Sequence, residues 1–240
     1  MRLITLSAFL FIAATRTAFA LPFDDGIKAY KDGNWARAVE VLKPIAEDDN
    51  ANSAEAQLRL GLLAERGLGM PKDTAVAVKW IKRAADAGNA TAQAHLGRLY
   101  RLGAGVPKDG AQAARYSIKG ASQGNAVAET NLGYMALEGM GGPLDPVAAT
   151  GWFKRAADQG DPSAMMALGT AYEQGRGAAK DPVQARKWYL LVVATGSGDY
   201  EADLPDRAKK ANEALAAKMT PAQIEQADKL ATEFKPAPKR

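Results

Sequence analysis

Among side chains that commonly do chemistry, this sequence holds a single histidine, His95, and no cysteine. Thiol nucleophiles, disulfides and thiolate metal ligands are therefore excluded, and one imidazole alone is a poor basis for a tight metal site. A site built only from carboxylates would favour weakly held hard cations, so no tightly bound metal and no cofactor are expected. Glu65, Glu138 and Glu173 carry the right groups for acid and base work across a cleft, although surface charge is the ordinary role of such residues. No Ser-x-x-Lys, Gly-x-Ser-x-Gly, His-Glu-x-x-His or phosphate-loop pattern accompanies them in the chain after its first 20 residues. Glycine pairs such as Gly67-Leu68-Gly69 and Gly103-Ala104-Gly105 resemble phosphate cradles in isolation. Their spacing gives them another role.

That spacing is a period of 36 residues. Leu60-Gly61, Leu96-Gly97, Leu132-Gly133 and Leu168-Gly169 recur at it, as do Gly67, Gly103, Gly139 and Gly175 and, two residues on, Gly69, Gly105, Gly141 and Gly177. An aromatic follows in register at Trp80, Tyr116, Trp152 and Trp188, and Gly88, Gly124, Gly160 and Gly196 close the units. Each unit reads as two helices. The first starts at an N-capping residue, Ser53, Asn89, Asn125 or Asp161, and stops at the paired glycines. The second starts at Asp73, Asp109, Asp145 or Asp181, with Pro146 and Pro182 one step inside.

The other recurring residues are read as packing. Ala56, Ala92, Ala128 and Ala164 on the first helices, and Ala77, Ala113, Ala149 and Ala185 on the second, let helix axes approach. A glycine inside a helix costs about 1 kcal/mol relative to alanine. Its recurrence after each leucine predicts a neighbouring helix crossing where a Cβ has no room. Trp80, Tyr116, Trp152 and Trp188 are expected in the core.

The pattern Ala-x-x-x-Leu-Gly-x-x-Tyr-x-x-Gly-x-Gly-Val-x-Lys-Asp, then Ala-x-x-Trp and a closing Gly, resembles the Sel-one-like repeat family. Ala92 to Gly124 shows it best, with Leu96-Gly97, Tyr100, Gly103, Gly105-Val106 and Lys108-Asp109, and Tyr116 replacing the tryptophan. Ala64 and Ala136 stand where the tyrosine is expected, Ala178 replaces the valine, and Leu144-Asp145 replaces Lys-Asp in the third unit. The resemblance implies an all-α fold, a right-handed α/α solenoid of helix-turn-helix repeats forming a tetratricopeptide-like superhelix. It also implies an interaction scaffold. By analogy with tetratricopeptides, Glu65, Arg66, Arg98, Arg101, Tyr134, Glu138, Thr170 and Glu173 are expected to face a concave binding groove. Their mixed charge suits a polar protein or peptide partner.

The organisation expected is a signal peptide over 1–20, a tetratricopeptide-like helix pair over 21–52, four repeats over 53–196, capping helices over 197–234 and a flexible tail over 235–240. The export signal is read from Met1-Arg2, the apolar stretch Leu3 to Ala14 and the cleavage motif Ala18-Phe19-Ala20, with Arg16 as its one departure. No cysteine follows it, which excludes a bacterial-type lipid anchor. Losing Arg2 and Arg16 lowers the net charge from +4 to about +2, and no basic stripe points to nucleic acid. The expectation is an exported protein of the periplasm or envelope that binds proteins and is not an enzyme. Regulation of a membrane sensor or envelope assembly follows from the resemblance. The alternatives are a cell-wall or β-lactam hydrolase, as some cysteine-rich relatives suggest, and a secreted host-interaction factor.

Overall fold

The computed structural model describes residues 20–48, 51–196 and 202–237, and these form twelve α-helices and no strand. Residues 1–19 of the expected export signal lie outside the described residues. The chain divides into two compact units, residues 1–89 and 90–240.

The first unit contains α1 (Ala20–Lys31), α2 (Trp35–Glu47), α3 (Ser53–Arg66) and α4 (Thr74–Asp86), each packed on the next. Asn34 caps α2 by accepting from the Arg37 N–H. Ala38, Leu42, Ala56, Leu60 and Leu63 form the centre of its core, and Tyr30 and Trp35 meet edge-to-face at 5.5 Å. α3 corrects one expected boundary. Asn52 holds the N-cap position without a side-chain capping bond to the helix, and Ser53 is already the first helical residue.

The second unit contains α5 (Ala90–Leu102), α6 (Gly110–Ser122), α7 (Ala126–Glu138), α8 (Pro146–Asp158), α9 (Pro162–Gln174), α10 (Pro182–Thr195), α11 (Leu204–Ala216) and α12 (Pro221–Thr232). Helices α3 to α10 are thus the four helix pairs, and the fold is an all-α solenoid of helix-turn-helix repeats. Asp73, Asp109, Asp145 and Asp181 each cap a second helix through a side-chain oxygen. Each aspartate also donates its own N–H across the turn, to the carbonyls of Ala64, Tyr100, Ala136 and Tyr172 respectively. At that register the turn uses only a backbone carbonyl, which explains why alanine replaces tyrosine there without opening the turn. The third turn, with Leu144 for lysine, closes like the others, Asp145 N–H to Ala136 O at 2.9 Å.

The mid-helix glycines are where helices of a pair touch. A Cβ on Gly61 would stand 2.5 Å from Ile81 Cγ1, one on Gly133 2.5 Å from Phe153 Cε1, and one on Gly169 2.6 Å from Tyr189 Cε1. On Gly97 it would strike the Ser117 hydroxyl. The eight packing alanines are all at most 1% exposed.

The second glycine of the first and fourth turns has a further task, whereas Gly141 in the third has open space around it. Gly69 lies on the Trp35 carbonyl at the start of α2, and Gly177 on the Pro146 carbonyl at the start of α8. At both, φ is positive, and a Cβ would overlap that backbone. These two turns therefore seat on the N-terminus of the preceding second helix, and only glycine permits both the conformation and the approach.

The aromatic column needs correction. Tyr116 and Trp188 are buried, but Trp80 and Trp152 are half-buried and are covered by Arg83 at 5.0 Å and Arg155 at 4.8 Å. The fully packed position is the next residue, Ile81, Ser117, Phe153 and Tyr189, which lies against the mid-helix glycines. Successive helical residues point about 100° apart, so one faces the partner helix and the other lies at the rim, where a cation can shield it.

α11 and α12 close the second unit over α10. Arg186 on α10 donates to Asp228 Oδ1 at 2.9 Å and to Asn212 Oδ1 at 2.7 Å. Phe234 meets Trp188 edge-to-face at 5.5 Å, and the Lys187 ammonium lies 4.2 Å from the Trp188 ring centre, where burial lowers its pKa. Thr220 and Gln223 form the expected reciprocal capping box of α12. The expected tail over 235–240 is partly tied down. Ala237 donates its N–H to Asp158 O at 2.7 Å, so the chain runs back along the end of α8, while 238–240 lie outside the described residues.

Candidate functional site

The eight residues expected to line a binding face fall in both units. Glu65 and Arg66 stand on the last turn of α3, in the first unit. Arg98, Arg101, Tyr134, Glu138, Thr170 and Glu173 belong to the second unit, on α5, α7 and α9.

Arg101, Tyr134 and Glu138 come together. The Arg101 guanidinium lies 4.9 Å from the centre of the Tyr134 ring and donates through Nη1 to Glu138 Oε1 at 2.6 Å. It is only 9% exposed, and this arginine, expected to face the binding groove, bridges α5 to α7. Tyr134 is half-buried rather than open, and it also meets Phe153 edge-to-face at 5.1 Å. Glu138 remains exposed. What solvent meets is a carboxylate already oriented by a buried cation, beside the rim of an aromatic ring. Such a surface is preorganised, and a partner docking on it loses little side-chain entropy.

Thr170 and Glu173 form a second cluster. The buried Tyr189 of α10 donates its phenol O–H to Glu173 Oε2 at 2.7 Å, with Thr170 Oγ1 at 3.4 Å. Burial, reinforced by the Glu173 carboxylate, raises the Tyr189 pKa far above the usual tyrosine value. Glu173 thus holds a hydroxyl from the second helix of its own repeat. Both it and Glu138 are held by partners within the fold, Tyr189 and Arg101.

A third polar cluster was not among the expected site residues. Glu129 on α7 is 1% exposed and accepts from Arg155 Nη2 and, at 2.7 Å, from Gln159 Nε2. Its register partners are Gln57, Gln93 and Met165, all buried, and Gln93 accepts from Gln123 Nε2 at 2.8 Å. A recurring amide at that position was the sequence signal: a polar residue repeating among packing residues marks a buried, partnered group. Glu129 has both carboxylate oxygens occupied and joins the two helices of its repeat.

This architecture is that of a helical-repeat scaffold built from tetratricopeptide-like helix pairs. The family model for the Sel1 repeat matches residues 54–89, 90–125, 126–161 and 162–191, more than half the sequence, and the chain belongs to the Sel1 repeat family. Proteins of this family are helical scaffolds that generally mediate protein interactions. Among solved structures, a Sel1 repeat protein from Oxalobacter formigenes is 29% identical with a TM-score of 0.66, over 88% of this chain and 83% of that one. The protein c5321, a protective antigen present in uropathogenic Escherichia coli strains and displaying an SLR fold, is 27% identical with a TM-score of 0.53. That match covers 86% of this chain and 51% of c5321, so the chain spans about half the antigen's length. No curated protein shows significant similarity to the sequence.

Proposed function

We propose that the protein is an exported scaffold of the periplasm or envelope that binds a protein partner through the first-helix face carrying Arg98, Tyr134 and Glu138. The observation that carries this reading is the Arg101–Tyr134–Glu138 cluster. In it Arg101 of α5 holds the exposed Glu138 carboxylate and the Tyr134 ring edge of the neighbouring first helix, α7. Regulation of a membrane sensor or of envelope assembly is the role this reading gives the complex.

The test is a pull-down from envelope extract with the chain starting at Leu21. The wild type is expected to retain a specific partner, and a variant with Arg98→Ala, Tyr134→Ala and Glu138→Ala to lose at least nine-tenths of it while keeping its helical circular dichroism. Full retention by the folded variant would remove the partner from this face.

The likeness to c5321, itself a protective antigen, favours a second reading, a secreted factor acting on a host cell. Fractionation separates the two: periplasmic recovery supports the scaffold of the envelope, and recovery from the medium supports the secreted factor.

A further inference from the structure

A pocket of about 80 Å³ lies between α7, α8 and α9, lined by Leu137, Thr150, Phe153, Ala167, Thr170, Ala171, Gln174 and Arg176. The repeat register explains its origin. Leu137, Thr170 and Gln174 stand one 36-residue period after Arg101, Tyr134 and Glu138. Between the second and third repeats, the arginine stem, the tyrosine ring and the glutamate fill these positions and bind one another. Between the third and fourth, leucine, threonine and glutamine stand in their place, and the volume of the larger side chains is missing.

The lining is mainly apolar, with Gln174 and Arg176 on its polar side. Leu137, Phe153, Ala167 and Ala171 supply hydrocarbon, and the two threonines spend their O–H donors on their own helices, Thr150 on Pro146 O at 2.9 Å and Thr170 on Met166 O at 3.0 Å. An apolar cavity of about 150 Å³ takes up benzene, so one of half that size fits a branched aliphatic group better than a ring. Beside it stands Arg176, exposed and with no side-chain ion pair or hydrogen bond among the described residues, in the register that holds Met140 one repeat earlier. Gln174 is exposed next to it and can donate to a backbone carbonyl.

We propose that this pocket receives one aliphatic side chain of an extended acidic peptide segment, whose neighbouring carboxylate pairs with Arg176. The proposal rests on the scaffold reading above and specifies the partner: a Leu-, Ile- or Val-sized anchor beside Asp or Glu. An anchor inserted in a preformed hole is the usual way a small contact carries most of an interface's affinity.

The probe is a displayed random dodecapeptide library panned on the chain from Leu21 onward, in three forms. On the wild type, enriched peptides should share an aliphatic residue next to Asp or Glu. Thr170→Tyr restores the ring found one repeat earlier and should lower the binding of those peptides at least tenfold. Arg176→Glu changes only an exposed side chain, and should turn the preference from acidic to basic neighbours even if Thr170→Tyr fails to fold. Equal binding to wild type and a folded Thr170→Tyr variant, or an unchanged preference with Arg176→Glu, would overturn the pocket assignment while leaving peptide binding by another surface intact. No enrichment on the wild type would overturn the peptide assignment and leave the scaffold reading to the envelope pull-down. Sedimentation showing a wild-type dimer that Thr170→Tyr returns to monomer would give the pocket to a second copy of this chain and overturn the peptide assignment.

Discussion

Gly177→Ala is expected to destabilise the protein by about 3 kcal/mol, and the same substitution at Gly151 to stabilise it by roughly 0.5–1 kcal/mol. Gly177 has φ +80°, and a Cβ there would overlap the Pro146 carbonyl group and the Thr150 hydroxyl. The left-handed conformation costs a residue with a Cβ roughly 1–2 kcal/mol, and displacing a packed backbone adds about as much again. Gly151 is also in the second unit, inside α8, but is exposed and has nothing within 4 Å of a new Cβ. Alanine there gains helix propensity and strains nothing. Thermal melts of both variants by circular dichroism check the pair. The midpoint should fall by roughly 10 °C for Gly177→Ala and rise by a few degrees for Gly151→Ala. Equal shifts of one sign would show that the turn does not seat on α8 as described.

Phe153→Ala should cost about 3–5 kcal/mol, as large-to-small changes of buried aromatics do. Phe153 is 1% exposed, lies on the space above Gly133 and meets Tyr134 edge-to-face. Its neighbours Ala167 and Ala171 are too short to fill the hole, and the adjoining pocket would merge with it. Tyr134 would lose its edge-to-face contact with this ring. Urea denaturation is the appropriate measurement, with a lower midpoint expected. A loss below about 1 kcal/mol would mean that the Phe153 column is not the centre of the pair.

These two sites show what a repeat sequence reveals and what it hides. Recurrence identified the glycines and the capping aspartates because every unit uses them alike. Gly61, Gly97, Gly133 and Gly169 lie where another helix leaves no room for a Cβ, as their position inside a helix implied. The Phe153 column escaped because its members are Ile81, Ser117, Phe153 and Tyr189, which share burial but not chemistry. The tryptophan column drew the eye through identity, yet two of its members lie at the rim under arginines.

The candidate site was less legible for a related reason. Register shows which positions are free to vary, but contacts between repeats join different registers. Arg101 meets Glu138 across 37 residues and Tyr134 across 33, and neither spacing is the period. Arg101 therefore read only as a groove-facing residue, although Tyr134 and Glu138 on the next first helix hold it. Glu129 read as nothing in particular, because its burial depends on Arg155 and Gln159 of the second helix. The pocket beside Thr170 became visible only when the third and fourth repeats were set against the second and third, since it consists of volume that smaller residues leave unfilled.

The central claim is that a partner docks on the face of α5 and α7 around Tyr134, and site-specific photocrosslinking in living cells tests it most directly. A photoreactive amino acid replaces Arg98, Glu138 or, as a control on a second helix, Val147, which is 71% exposed. The account predicts one adduct of the same mass from positions 98 and 138 and none from 147. An adduct from 147 with none from 98 or 138 would contradict it.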